Sequence, residues 1–342
     1  MTKSGKRLIV CCDGTWSKLD TECPTNVLKL AQAVKRTASD GVPQIVFYDE
    51  GVGVESNKIM GAVTGLGIDK NIQDAYRFLS FNYAQGDEIY LFGYSRGAYT
   101  VRSLAGMIYC SGLLSRRYIN KASEAYELYR DRVIKPKHDE AKSFRENYSK
   151  DNGDRVPITL LGCFDTVGAL GIPLVPVLKK YEEPLKKRYR FHDITLNKDI
   201  ERALHAVAID EIREIFDVTL MKKNDKAPDQ KLRQVWFPGE HSCIGGGNPE
   251  YLGLSDIVLK WMLDQISDLE LKLEFEPEVI KDIKPDYKAP FHSNPGFFKW
   301  AGIKLREVGE TIEDIHESAI ERFQNADIPY SPKNLENIFS KK

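Results

Sequence analysis

Hydrophobic and polar residues alternate in blocks along the first two thirds of the chain, as they do in proteins that alternate strands and helices. Short, almost continuous apolar runs predict buried strands. They lie at residues 8–12, 45–48, 88–94, 158–164 and 235–237. Because both faces of each run are apolar, we expect a mostly parallel sheet with helices on both faces.

Between these runs, apolar residues recur at spacings of three and four, which predicts helices. The predicted helices lie at residues 27–34, 69–84, 98–110, 199–208, 254–266 and 311–323. Residues 51–67 are rich in glycine and predict a loop. The pattern as a whole indicates an α/β fold.

A charged, helical stretch at residues 115–155 interrupts the alternation and is typical of an insertion or cap. Strand and helix signals resume after it and fade again beyond residue 267. We therefore predict a single elaborated α/β domain with a core at 7–114 and 156–267. The cap would be 115–155, and residues 268–342 would form a C-terminal extension.

Composition narrows the class of protein. The 342 residues include 49 Lys and Arg and 50 Asp and Glu, giving a net charge of −1, and 42% are hydrophobic. This balance argues against disorder and against nucleic-acid binding through overall positive charge. The six cysteines are scattered without the spacing of metal ligands. We expect reduced, buried thiols, no metal and no cofactor.

The N-terminal segment bears on localisation. Residues 1–7 are basic, but the apolar run behind them covers only residues 8–12. That run is too short for the core of a signal peptide. No segment approaches the roughly 20 apolar residues that span a bilayer. We therefore expect the protein to be cytoplasmic, or exported without a Sec signal peptide.

The sequence GYSRG at 93–97 lies between a predicted strand and a predicted helix. A sharp strand-to-helix turn exposes the hydroxyl of its serine, and small residues on both sides let strand and helix approach closely. Ser95 is therefore the candidate nucleophile. The amide of Arg96, at the start of the helix, is a candidate donor to an oxyanion. A purely structural glycine-rich turn is the alternative.

A serine nucleophile needs a base and an acid that orients the base. Asp165 directly follows the predicted strand 158–164, and His241 follows the strand 235–237. Both positions come after Ser95 in the order Ser, Asp, His that α/β-hydrolases use. A turn-capping Asp165 and a solvated His241 are the alternatives. His205 and His316 lie in predicted helices, and His316 is the reserve base.

The first predicted strand ends in DGTW at 13–16. One interpretation is a loop whose amides at Gly14 or Thr15 complete an oxyanion hole. The other is the D-x-D-G-T motif of haloacid-dehalogenase-type phosphatases, but Cys11 stands where that motif needs its first Asp. The glycines around 51–61 do not have the G-x-G-x-x-G spacing of dinucleotide-binding loops.

Several longer motifs resemble one α/β-hydrolase family, long catalogued as a domain of unknown function. This family includes the catalytic domains of type VI secretion phospholipase effectors, the Tle lipases. The motifs are DGTW at 13–16, YDEGVG at 48–53, GYSRGAYTVRS at 93–103, CFDTVG at 163–168, AVAIDE at 206–211, VWFPGEHS at 235–242 and GGG at 245–247. The resemblance runs from about residue 7 to about residue 265.

The resemblance implies a triad of Ser95, Asp165 and His241 that hydrolyses esters, with phospholipids as the substrate class. The sequence of this chain departs from the family pattern at one position. The family usually reads H-S-D-x-G-G-G after the histidine, and Cys243 replaces that Asp. The substitution favours, as the alternative function, a binding or regulatory module on a hydrolase scaffold. A metal-dependent phosphohydrolase using Asp13 and Asp165 is a remoter alternative.

Two segments after Asp165 bear on the partners. Residues 168–178 are apolar and proline-punctuated, which is typical of either a lid that contacts acyl chains or a buried connection. Residues 179–190 are basic, and such charge meets anionic lipid headgroups or simply faces solvent. We expect a lipid or other ester substrate, peripheral membrane contact, a secretion-machine or immunity partner, and no nucleic acid.

Overall fold

The computed structural model of the protein describes residues 5–15, 17, 19–51, 66–150, 155–168, 193–292, 302–309 and 311–339. Within these residues six strands form one parallel sheet. They are β1 (Arg7–Cys12), β2 (Gln44–Asp49), β3 (Glu88–Tyr94), β4 (Leu160–Phe164), β5 (Arg202–Ala208) and β6 (Lys231–Phe237). Their order across the sheet is β2-β1-β3-β4-β5-β6. The predicted parallel sheet is confirmed.

The described helices lie on both faces of this sheet. They are α1 (Asn26–Ala33), α2 (Leu66–Asn82), α3 (Arg96–Ser111), α4 (Ala122–Arg130), α5 (Asp139–Tyr148), α6 (His241–Gly245), α7 (Leu252–Asp268), α8 (Pro277–Ile280), α9 (Glu317–Gln324) and α10 (Glu336–Phe339). One buried apolar cluster packs helices α2, α3 and α4 against one face. A second joins α1, α6 and α7 to the other face.

One predicted element is wrong. Residues 199–208 were expected to be a helix, but Arg202–Ala208 is strand β5, paired with β4 and β6. The three alanines of this run favour a helix in isolation. Its residues from Ala203 onward are buried, and in this central position the pairing of both edges outweighs local propensity.

The C-terminal extension packs on the last two strands. Ile315, Ala319 and Leu335 form a third buried cluster with Val207, Ile209 and Trp236 of the sheet region. Ile315 also makes an isolated parallel bridge to Trp236. The extension therefore covers this end of the sheet. Among the described residues no helix is both long and apolar enough to cross a bilayer.

Candidate active site

Ser95 occupies a tight turn between β3 and α3. Its backbone is in the left-handed region, with φ 57° and ψ −121°. The turn needs glycine on both sides, since a Cβ on Gly97 would lie 2.0 Å from the carbonyl oxygen of Cys12. A Cβ on Gly93 would lie 2.5 Å from the carbonyl oxygen of Gly97. This crowding explains how the turn presents Ser95 at the carboxyl edge of the sheet.

The structure brings the three predicted residues together in one hydrogen-bonded row. His241 Nε2 lies 2.8 Å from Ser95 Oγ, and His241 Nδ1 lies 2.5 Å from Asp165 Oδ2. An ionised carboxylate can only accept, so Nδ1 carries the proton and donates to Asp165. Nε2 of a neutral ring is then the acceptor for the Ser95 hydroxyl. This arrangement can take a proton from the serine as it attacks an electrophile.

Asp165 directly follows β4, is fully buried, and has a left-handed φ of 43°. Its Oδ1 accepts from the amide of Ala208 at 2.9 Å and from Arg306 Nη1 at 2.6 Å. Arg306 Nη2 donates to Oδ2 at 2.9 Å. Burial acts to raise the pKa of Asp165, but the Arg306 charge and the hydrogen bonds outweigh it. The pKa of Asp165 is therefore held below its usual value, and the carboxylate is ionised at neutral pH.

His241 begins the short helix α6, where side chains fix both its ring and its backbone. The ring packs against Tyr94 and Phe216, with centroid distances of 4.8 and 4.9 Å. The His241 amide donates to Glu211 Oε2 at 3.2 Å. Arg213 donates to both oxygens of Glu211 and to Glu240. This network around Glu211 holds the start of α6 beside the ends of β4 and β5.

The predicted oxyanion loop lies next to Ser95. A Cβ added to Gly14 would be 3.5 Å from Ser95 Cβ. The amide of Gly14, however, already donates to Asp13 Oδ1 at 2.6 Å. Asp13 also accepts from Thr25 Oγ1 at 2.5 Å and from Tyr48 OH at 2.7 Å. The Gly14 amide is therefore already engaged, which leaves the amide of Thr15 and that of Arg96, the first residue of α3, as the remaining predicted oxyanion donors.

His205 and His316 have partners other than Ser95. His205 lies on β5, where its Nε2 accepts from the amide of Thr166 and its Nδ1 contacts Gln234 Oε1. Burial lowers the pKa of His205 to about 3. His316, the reserve base, caps α9 by accepting from the Ser318 amide, and burial lowers its pKa to about 4. The structure therefore brings His241, and not His316, to the serine.

Cys243 lies in α6, two residues beyond His241, and is fully buried. Burial raises the pKa of its thiol far above the usual value, and the nearby charge of Glu240 raises it further. The charge of Arg322 acts in the opposite direction. Cys243 is thus a neutral, packed thiol.

The described residues offer no ligand set for the alternative of a metal site. No group of three or more His, Cys, Asp or Glu residues is arranged there to hold an ion. The oxygens of Asp13 and Asp165 accept the hydrogen bonds given above. Trp16, most of the predicted 51–67 loop, and residues 169–192 of the apolar and basic segments lie outside the described residues.

A family model described as "T6SS, Phospholipase effector Tle1-like, catalytic domain" matches residues 6–265, which is most of the chain. The chain belongs to this family. The predicted resemblance is confirmed, as is the α/β-hydrolase-like fold.

Two proteins similar to this Tle1-like chain are longer than it. It is 29% identical over 238 residues to the uncharacterized protein YEL023C of Saccharomyces cerevisiae, a match that covers 63% of this chain and 32% of the yeast protein. The structure is similar to that of an uncharacterized protein from Pseudomonas aeruginosa. That similarity has a TM-score of 0.53 and 16% identity, and covers 84% of this chain and 50% of the other. The chain thus spans half or less of the length of these relatives.

A further similarity is to a Tle1 effector whose structure was solved bound to the VgrG spike of the type 6 secretion system. Its TM-score is 0.43 at 18% identity, and it covers 73% of this chain and 52% of that one.

Arg306 is the site residue that sequence reasoning missed. It lies in the C-terminal extension, beyond residue 265, where the Tle1-like match ends. Its only sequence signal is one arginine in a charged, irregular stretch. Nothing in that pattern singles it out, since its role depends on a contact with Asp165 that only the tertiary structure makes.

Proposed function

We propose that this Tle1-like protein is a serine hydrolase that cleaves carboxylic esters, with phospholipids as the substrate class. The observation that carries the proposal is the hydrogen-bonded row from Ser95 through His241 to the buried, ionised Asp165. Family membership supports the lipid substrate. A serine in a strained strand-to-helix turn, with its hydroxyl paired to a histidine, is typical of an acyl-transfer nucleophile.

In the proposed first step, Ser95 Oγ attacks the ester carbonyl carbon while its proton passes to His241 Nε2. Asp165 accepts from Nδ1 and stabilises the resulting imidazolium. The carbonyl oxygen becomes an oxyanion, which the amides of Arg96 and Thr15 stabilise. When the tetrahedral intermediate collapses, the alcohol leaves with the proton from Nε2, and an acyl-Ser95 ester remains.

In the second step a water molecule attacks the acyl-Ser95 ester, and His241 accepts one of its protons. Collapse of the new tetrahedral intermediate releases the carboxylic acid, and the proton on Nε2 returns to Ser95 Oγ. The two steps together consume one ester and one water and give one alcohol and one acid.

The test compares the parent with Ser95→Ala on mixed phospholipid vesicles and on a soluble short-chain ester, with lipid products identified by mass spectrometry. We expect the rate to fall by about 10⁶-fold, as for loss of a serine nucleophile elsewhere. The matched control is Ser103→Ala, a buried serine further along α3, which should keep the parent rate.

A fluorophosphonate probe separates the proposal from the alternative that Cys243 favours, a binding or regulatory module on a hydrolase scaffold. An activated serine reacts with the probe, so the parent should be labelled and Ser95→Ala should not. A parent protein that stays unlabelled at neutral pH and releases no fatty acid would favour the module.

The cellular setting is part of the proposal. The Tle1-like family is named for effectors, so we propose a secretion-machine or immunity partner and export without a Sec signal peptide, or else action in the cytoplasm. A relative in yeast shares the same region. We therefore propose ester hydrolysis, with peripheral contact to a lipid surface, as the core of the function.

A further inference from the structure

We propose that Arg306, in the C-terminal extension, is a positioning residue for the triad and completes the site through Asp165. This inference rests on the proposed function. The guanidinium forms two parallel hydrogen bonds with the carboxylate, from Nη1 to Oδ1 at 2.6 Å and from Nη2 to Oδ2 at 2.9 Å. Such a bidentate pair fixes the plane of a carboxylate as well as its charge.

Arg306 is itself held in place by two backbone carbonyls. Nη1 donates to the carbonyl oxygen of Ala208 at 2.9 Å, and Nη2 donates to that of Phe216 at 2.6 Å. Arg306 is 3% exposed, and Asp165 is 0% exposed. The pair is therefore shielded from water. A planar guanidinium is better suited than a lysine ammonium to such a buried ion pair.

These contacts fix Asp165 and one of the two rings that pack on His241. With Oδ1 taken by Ala208 and Arg306, Oδ2 is directed at His241 Nδ1. The Phe216 backbone that Arg306 binds carries the ring that stacks on His241 at 4.9 Å. The Arg306 guanidinium thus positions both Asp165 and the Phe216 ring against which His241 packs. Without it, a buried carboxylate would keep only the Ala208 amide and the imidazole as partners, and its orientation would loosen.

The competing explanation is that Arg306 merely attaches the extension to the sheet. The two explanations differ in their dependence on Asp165. A positioning residue that acts through Asp165 loses its effect when Asp165 can no longer act, whereas general destabilisation adds to any other change.

The experiment is a double-mutant cycle with Arg306→Met and Asp165→Asn in the full chain. The values of kcat and KM are measured on a soluble short-chain ester, at a temperature where circular dichroism shows every variant folded. We expect Arg306→Met to lower kcat by about 10²-fold, as for a small misplacement of catalytic groups, and to leave KM unchanged. Asp165→Asn should lower kcat by about 10⁴-fold, and the double variant should match it.

Two further variants guard against loss of folding. Arg306→Lys keeps the charge but cannot span both oxygens, so its kcat should fall between those of the parent and the Met variant. The matched control is Arg322→Met, a buried arginine of the same extension that donates to the backbone carbonyls of Tyr287 and Ala289. It should lower the melting temperature and leave kcat of the folded protein unchanged.

Three outcomes would overturn the inference while the proposed function stood. The first is a parent-like kcat in Arg306→Met. The second, if the Met variant does not fold, is a parent-like kcat in Arg306→Lys. The third is a fold-loss of kcat in the double variant that equals the product of the two single fold-losses. A parent protein with neither ester hydrolysis nor probe labelling would instead overturn the proposed function, and this inference with it.

Discussion

Two residues of the site hold backbone conformations that side chains other than glycine rarely adopt. Ser95 and Asp165 have φ of 57° and 43°, and they follow the neighbouring strands β3 and β4. Each such residue costs about 1–3 kcal/mol. The Ser95 amide donates to Phe164 O at 3.0 Å, and the Asp165 amide donates to Ala206 O at 2.8 Å. The sheet itself therefore maintains the strain on both residues.

Asp210 provides a pH test at the residue scale. It is partly buried, and its Oδ2 accepts from the Gly239 amide and from Tyr330 OH. Burial raises the pKa of Asp210 to about 7, against the effect of these hydrogen bonds. An unfolded aspartate has a pKa of about 3.9. Between these values the folded state holds a proton that the unfolded state has lost, so the stability contribution of Asp210 falls as pH rises.

Asp210→Asn removes this titration. The free energy of unfolding of the variant, relative to the parent, should rise by about 2–3 kcal/mol between pH 5 and pH 8. Urea unfolding at the two pH values measures it, with the exposed Asp225→Asn as the control. A difference between variant and parent that is the same at both pH values would contradict the prediction.

At the scale of elements, the crossing of β1 and α3 determines where the nucleophile lies. Gly97 sits in the first turn of α3, and its Cα faces the carbonyl oxygens of Cys12 and Asp13 at the end of β1. Because these neighbours are backbone atoms, they cannot rotate away from an added methyl group. The helix and strand can approach this closely only with glycine at position 97.

Gly97→Ala should therefore force α3 away from β1. We expect a loss of about 3 kcal/mol in the free energy of unfolding, together with slower probe labelling of Ser95. The matched control is Gly106→Ala in the same helix, where the new Cβ would meet the side chain of Tyr129. That variant should lose much less stability and label at the parent rate. Equal losses in the two variants would refute this account.

The sequence predicted the elements near the site well, because strand ends carry strong local signals. Ser95, Asp165 and His241 each follow an apolar run, and parallel strands bring their carboxyl ends to one edge of the sheet. The helix predicted at 199–208 was wrong because a short apolar run does not distinguish a buried strand from a helix. The role of Arg306 could not be predicted from the sequence, because its pairing with Asp165 joins parts of the chain with no shared local pattern.

For the whole molecule, the extension is part of the sheet's cover and part of the site. The predicted division into core, cap and extension stays a prediction. The contacts described above nevertheless join residues 302–339 to β5, β6 and Asp165. A chain that ends near residue 265 would match the family model and still lack Arg306.

A chain cut after residue 268 should therefore fail as a stable hydrolase. It would expose the side chain of Trp236, which is 2% exposed in the full chain, and leave Asp165 without its guanidinium. We expect binding of the dye ANS, poor solubility and no cooperative thermal unfolding. Arg306→Met in the full chain serves as the control, since it removes the guanidinium and keeps the apolar cover. A truncated chain that melts like the parent would contradict this expectation.

The distance along the chain between Ser95 and Arg306 has a consequence during translation. At about 5–20 residues per second, the roughly 200 residues between them take roughly 10–40 s to synthesise. Throughout that time the nascent chain carries the nucleophile without the arginine that fixes its acid. The enzyme we propose therefore gains its full activity only after Arg306 has been synthesised and has reached Asp165.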